Sequence, residues 1–190
     1  MAGSLLTAAH TSSASAICGI ASARTNESAS IRLTPVVASW SMSAILAVAG
    51  RAVADGADAI SFGDTTGMAT PGRVRDLVGS FRSRHPGVPL NLHFHNTRGT
   101  GLANVLAALE LGVDDFDASV GGLGGCPYAP GASGNIATEE LVYMAEDMGV
   151  GTGIDLAAMI EAAAAAERIV GRELPSQVLR AGPRTKTIPA

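Results

Sequence analysis

The stretch PLNLHFHNTRGTGLANVLAALELG, residues 89–112, decides the fold. Its first eight residues read as a strand: with a side-chain period of two, His93 and His95 project to one face while Phe94 points to the other, into a helix layer. The apolar spacing then changes. Leu102, Val105, Leu106 and Leu109 fall at i, i+3, i+4 and i+7, which predicts a helix with that stripe buried and Gly112 as its stop.

The same grammar runs outward in both directions. Upstream, a helix reaching Gly56 precedes DAISFGD, a short apolar strand ending at Asp64. TPGRVRDLVGSF follows, with Thr70 able to cap, Pro71 suited to the first helical position, and Val74, Leu77, Val78 and Phe81 as the buried stripe. That helix stops at HPG. Downstream, DDFDASV is a third strand, GGLGGCPYAPGASGN a glycine-rich loop, and helices are expected over residues 138–148 and 155–170. Strands alternating with amphipathic helices define an α/β protein of successive parallel, right-handed units. Such units close into an eight-stranded barrel or lie in an open doubly wound sheet. A whole barrel takes about 250 residues, so this chain has room for only three or four strands.

The first 45 residues are different: rich in Ser, Ala and Thr, with one acid (Glu27), two arginines (Arg24, Arg32) and no sustained periodicity. They read as a leader, either disordered or misassigned, or else an organellar transit peptide, which a Ser-rich, acid-poor composition permits. No basic region precedes a compact apolar run, which argues against a secretory signal. The expected domain is therefore residues 46–183, with a tail over 184–190. The compartment is cytoplasmic, or the mitochondrial matrix if the leader is a transit peptide.

Composition narrows the function. The net charge is −4 and the 13 Lys and Arg residues are scattered, so there is no electrostatic footprint for nucleic acid. Mean hydropathy is +0.28, yet no apolar run approaches the roughly 18–20 residues that span a bilayer. Cys18 and Cys126 lie in unrelated contexts, without the spacing of a disulfide framework or a structural zinc site.

Candidate polar residues gather where strands end, the working face of parallel α/β folds. His93 and His95 can grip one ion, or be held by carbonyls or waters. Asn135 can add a carbonyl oxygen, and a mixed nitrogen and oxygen set suits octahedral Mg²⁺ or Mn²⁺ better than zinc. Asp64 is either a functional carboxylate or the cap of the turn in DTTG. Asp115 and Asp117 look like strand-edge or surface carboxylates. Cys126, between Gly124-Gly125 and Pro127, is either a thiol on a closing lid or a small residue tucked beneath the loop. The loop lacks the lysine and spacing of a phosphate cradle.

ISFGDTTGMATPG, LHFHNTRGTGLAN and ASVGGLGGCPYAPGASGNIATEELVYM together resemble consecutive segments of the hydroxymethylglutaryl-CoA lyases, over residues 52–183. The Gly-Gly-Cys-Pro-Tyr loop separates these lyases from related condensing synthases. The resemblance implies a partial (β/α)8 TIM barrel, the last three βα units plus carboxyl-terminal helices. It also implies a metal-dependent retro-Claisen cleavage of 3-hydroxy-3-methylglutaryl-CoA to acetyl-CoA and acetoacetate. By the same resemblance His93, His95 and Asn135 are metal ligands for Mg²⁺ or Mn²⁺, Asp64 is the acid/base near the hydroxyl, and Cys126, with His93, assists proton transfer to the enolate. An acyl-CoA thioester is the expected partner, with homodimerisation or other self-association.

The family's first strand ends in Arg-Asp-Gly, supplying a further ligand and an enolate-stabilising arginine. No such tripeptide occurs here, and no aspartate precedes Asp55. The expectation is a carboxyl-terminal part of the barrel whose first strand is a bare edge and whose activity alone is impaired. The alternatives are a related synthase or aldolase, and a non-catalytic fragment.

Overall fold

The computed structural model describes residues 41–125, 131 and 133–184 in full, and the backbone of residues 22–24 and 31–32. Cys18 and Cys126 lie outside the described residues. Two short strands, β1 (Ser22–Arg24) and β2 (Ile31–Arg32), come first. Then follow α1 (Met42–Ala54), β3 (Ala59–Asp64), α2 (Pro71–Arg84), β4 (Leu90–Phe94), α3 (Gly101–Leu109) and β5 (Asp115–Asp117). A 3-10 turn at Val120–Gly122 leads through the loop to α4 (Thr138–Asp147), α5 (Leu156–Val170) and α6 (Gln177–Ala181).

The strands form one sheet in the order β2-β1-β3-β4-β5. β3, β4 and β5 are parallel, as the alternation of strand and helix requires, with Ser61 opposite Asn91 and His93 opposite Asp117. β1 runs antiparallel against β3, so the edge expected to be bare is covered by backbone from the segment read as a leader. α1 also crosses the boundary drawn at residue 46, because Ile45, Leu46 and Ala49 are buried in the main core.

Side-chain parity divides the sheet. Ile60, Phe62, Leu90, Leu92 and Phe94 face the helices and are buried with Val74, Val78 and Phe81 of α2. Phe62 and Phe81 meet edge to face at 5.5 Å between centroids, a favoured aromatic geometry. Ser61, Asn91, His93 and Asp117 occupy the alternate positions and form the polar face.

Two local expectations change. Thr70 sits at the N-cap of α2 but makes no side-chain cap bond. The turn before it is held from outside instead, with the hydroxyl of Thr100 donating to the carbonyl of Ala69 at 3.0 Å. In α3 the buried side is Gly101, Asn104, Val105, Ala107 and Ala108, with Leu102, Leu106 and Leu109 only half-buried. The stripe is turned because small residues let the helix approach closely: a side chain at Gly101 would collide with Ile136, and Asn104 reaches the carbonyl of Ala69 at 3.1 Å. The sequence reading also missed α6, which opens on Ser176 capping Leu179.

Phe81 is fully buried, so Phe81→Ala is expected to cost about 3–5 kcal/mol through lost transfer energy and a cavity. Urea unfolding of the two chains measures the difference.

Candidate metal-binding site

The loop after β5 comes back to the sheet. Ile136 donates to the carbonyl of Phe94 at 3.0 Å, and Asn96 donates to that of Gly134 at 3.3 Å. Ser119 donates to Ile136 at 3.1 Å and accepts from Thr138 at 2.9 Å. The returning segment thus wedges between the end of β4 and the residues following β5. It pairs His95 with Asn135, antiparallel, and Ser119 with Ala137, parallel. Gly134 permits this approach, since a Cβ there would strike the carbonyl of Gly122 and stand 2.9 Å from the nitrogen of Gly124. Asn135 is thereby brought to the carboxyl end of β4, opposite His95.

The rings of His93 and His95 lie 5.1 Å apart between centroids. His95 is buried, and its Nδ1 lies 3.1 Å from the carbonyl of Ser133. A carbonyl only accepts, so the proton belongs on Nδ1 and the lone pair on Nε2. His93, on the polar face, has its Nδ1 3.8 Å from Asp117 Oδ2. Burial holds both imidazoles below the ordinary value of 6.5. His95 adds to the effect on His93 while Asp117 opposes it; the Ser133 carbonyl and Asp64 oppose it for His95. Both are therefore neutral at neutral pH, the form that ligates a metal.

Asp64 is buried at the end of β3. Its two oxygens accept from the backbone nitrogens of Met68 at 2.8 Å and Ala69 at 2.9 Å. The carboxylate therefore does cap the turn leading to α2. Burial raises its pKa, against the lowering effects of those two bonds, His95 and Arg98. Arg98 is itself anchored to the carbonyls of Thr66 and Gly67 at 3.0 and 3.1 Å.

The sequence reading set Asp117 aside as a strand-edge or surface carboxylate, and its side chain is indeed 55% exposed. Strand register nevertheless puts it directly opposite His93. Asn91 and Ser61 were missed as well: Ser61 Oγ donates to Asn91 Oδ1 at 2.6 Å, and Asn91 Nδ2 donates to Asp117 Oδ1 at 3.3 Å. Position parity along β4 could have flagged Asn91, but the β5 register is not readable from local sequence.

The donor set fits a divalent ion with mixed nitrogen and oxygen ligands: two neutral imidazoles and an amide gathered at one strand end. The hydroxyl of Ser133, in the returning segment, is buried without a partner among the described residues. Among those residues no three His, Cys, Asp or Glu side chains gather around one point.

Parallel βα units with polar residues at their strand ends define an α/β protein of barrel or open-sheet type, and comparison with known proteins is more specific. The HMGL-like family model matches residues 8–165, and the chain belongs to that family. It is 50% identical over 73% of its length to the (R)-citramalyl-CoA lyase of Chloroflexus aurantiacus, and 48% identical over 66% to the hydroxymethylglutaryl-CoA lyase YngG of Bacillus subtilis. It spans 44% and 42% of those proteins. An HMG-CoA lyase from Acinetobacter baumannii, solved with coenzyme A and 3-methylmalate, superposes on 82% of this chain and 51% of its own, with TM-score 0.76 and 46% identity. The fold is accordingly a partial TIM barrel.

Two outcomes follow from this geometry. In an NMR titration both His93 and His95 should protonate with midpoints below 6.5. Because the folded pKa values lie below the unfolded ones, their stability contribution is intact above about 6.5 and is lost as pH falls through the folded values. Gly134→Ala should lower stability by about 1–3 kcal/mol through overpacking, read by urea unfolding.

Proposed function

We propose that this chain carries the metal-binding part of a carbon–carbon lyase acting on a CoA thioester with a tertiary hydroxyl β to the thioester carbonyl. The observation that supports it best is the meeting of His93, His95 and Asn135 at the end of β4 in a member of the HMGL-like family. The named substrates of the two relatives, 3-hydroxy-3-methylglutaryl-CoA and citramalyl-CoA, share that carbinol and a free carboxylate. They differ in the distance between the two groups. Cleavage of the bond between the α and β carbons releases acetyl-CoA from either, with acetoacetate from the first and pyruvate from the second.

In this reading His93, His95 and Asn135 would hold Mg²⁺ or Mn²⁺, with imidazole nitrogens and an amide oxygen as donors. Bound there, the ion supplies Lewis-acid polarisation of the substrate's oxygens. Asp64, its pKa raised by burial, takes the hydroxyl proton as the carbon–carbon bond breaks. Cys126 delivers a proton to the α carbon of the departing acetyl-CoA enolate, assisted by His93. The thiol is carried on a segment bounded by Gly124 and Gly131, both at positive φ, a conformation that glycine adopts without strain.

Isothermal titration with Mn²⁺ tests the reading. Micromolar binding that is lost in the His93→Ala, His95→Ala double variant supports it, and absence of binding by the unaltered chain overturns it. In any preparation that releases acetyl-CoA, Cys126→Ala should lower turnover by about 10²-fold or more, the scale of a lost general acid. An unchanged rate would point instead to a synthase-like or aldolase-like use of the same scaffold.

A further inference from the structure

We propose that Asp117, held in place by Asn91 and Ser61, is a positioning residue for His93, keeping the imidazole proton on Nδ1 and presenting Nε2 to a ligand. The inference deepens the metal-site reading of His93 and rests on it. The four side chains lie on the polar face and cross three strands: Ser61 on β3, Asn91 and His93 on β4, Asp117 on β5.

Direction along the chain of contacts is fixed by donor chemistry. The carboxylate of Asp117 only accepts, which settles which end of the Asn91 amide faces which way and leaves Oδ1 to accept from Ser61 Oγ at 2.6 Å. The amide nitrogen must then face β5, where it donates to Asp117 Oδ1 at 3.3 Å. One carboxylate oxygen is thereby occupied, and the other, Oδ2, stands 3.8 Å from His93 Nδ1. At that separation the contact is electrostatic rather than a hydrogen bond. A negative charge beside Nδ1 favours the tautomer whose N–H points toward it, leaving the lone pair on Nε2.

His95 reaches the same state by a different route, through the carbonyl of Ser133 at 3.1 Å. Both imidazoles then present the same nitrogen. Partners of this kind orient metal-binding histidines generally, and their loss costs about 10–100-fold in metal affinity. Asn91 is buried on the polar face, and its side chain bonds only to Ser61 and Asp117 among the described residues. Holding the carboxylate is thus the one role its contacts define.

The test is long-range ¹H–¹⁵N correlation on the metal-free, ¹⁵N-histidine-labelled chain at about pH 8, above the ordinary imidazole range, which reads the tautomer of each ring directly. The unaltered chain should show His93 mainly as the Nδ1–H form. Asp117→Ala should shift His93 toward the Nε2–H form that free imidazole side chains prefer, leaving His95 unmoved. Asp117→Asn, which keeps an acceptor, should restore part of the original state, and Asn91→Ala should produce a smaller shift. Mn²⁺ affinity should fall about tenfold in Asp117→Ala. Asp117 is largely exposed, and a native circular dichroism spectrum confirms folding of each variant. An unchanged His93 tautomer in folded Asp117→Ala overturns the proposal even if the unaltered chain binds Mn²⁺. A shifted tautomer in a chain that binds no Mn²⁺ supports the positioning role and removes the metal reading instead.

Discussion

Everything at the candidate site depends on the return of residues 134–137 to the end of β4. Without it Asn135 would not stand opposite His95 at the end of that strand. The return is held by backbone bonds to Phe94, Asn96 and Ser119 and by Ile136, which is fully buried. Such bonds form only if two backbones can touch, and that requirement places glycines on both sides of the contact. Gly101 leaves room for Ile136, and Gly134 leaves room for the carbonyl of Gly122. Gly121 and Gly122 take positive φ where Leu174 and Pro175 pack against them. The glycine content of this region serves close packing as much as motion.

The sheet supplies the other half of the arrangement. Parallel strands bring their carboxyl ends to one side, and the period of two separates an apolar layer from a polar one. The apolar layer fixes the strands against α1 and α2. That leaves the opposite face free to carry Ser61, Asn91, His93 and Asp117 in mutual contact. Burial lowers the pKa of both histidines, so the same desolvation that would be a cost to a charged imidazole favours the neutral ligand.

Much of this was legible in residues 89–112. The strand, the helix after it and the pairing of His93 with His95 on one face follow from periodicity alone. So do the α/β class and the three parallel units. What was not legible lies in the register between strands and in small-residue packing. Asp117 was set aside because nothing local says that it stands opposite His93. The stripe of α3 reads from sequence as Leu102, Val105, Leu106 and Leu109; Val105 is buried as expected, whereas close packing buries Ala107 and Ala108 in place of the leucines. Asp64 is open in sequence between a cap and a functional carboxylate; its bonds to the backbone nitrogens of Met68 and Ala69 give it the capping role, which is compatible with the other. Residues 22–24 carry too little pattern to announce the strand that covers the edge of β3.

In the proposed function His93, His95 and Asn135 share one metal ion. The most direct measurement is electron spin-echo envelope modulation of Mn²⁺ bound to the ¹⁵N-histidine-labelled chain. Couplings to two imidazole nitrogens, reduced to one in each of His93→Ala and His95→Ala, are the result expected. Bound Mn²⁺ showing no histidine nitrogen coupling would contradict the claim.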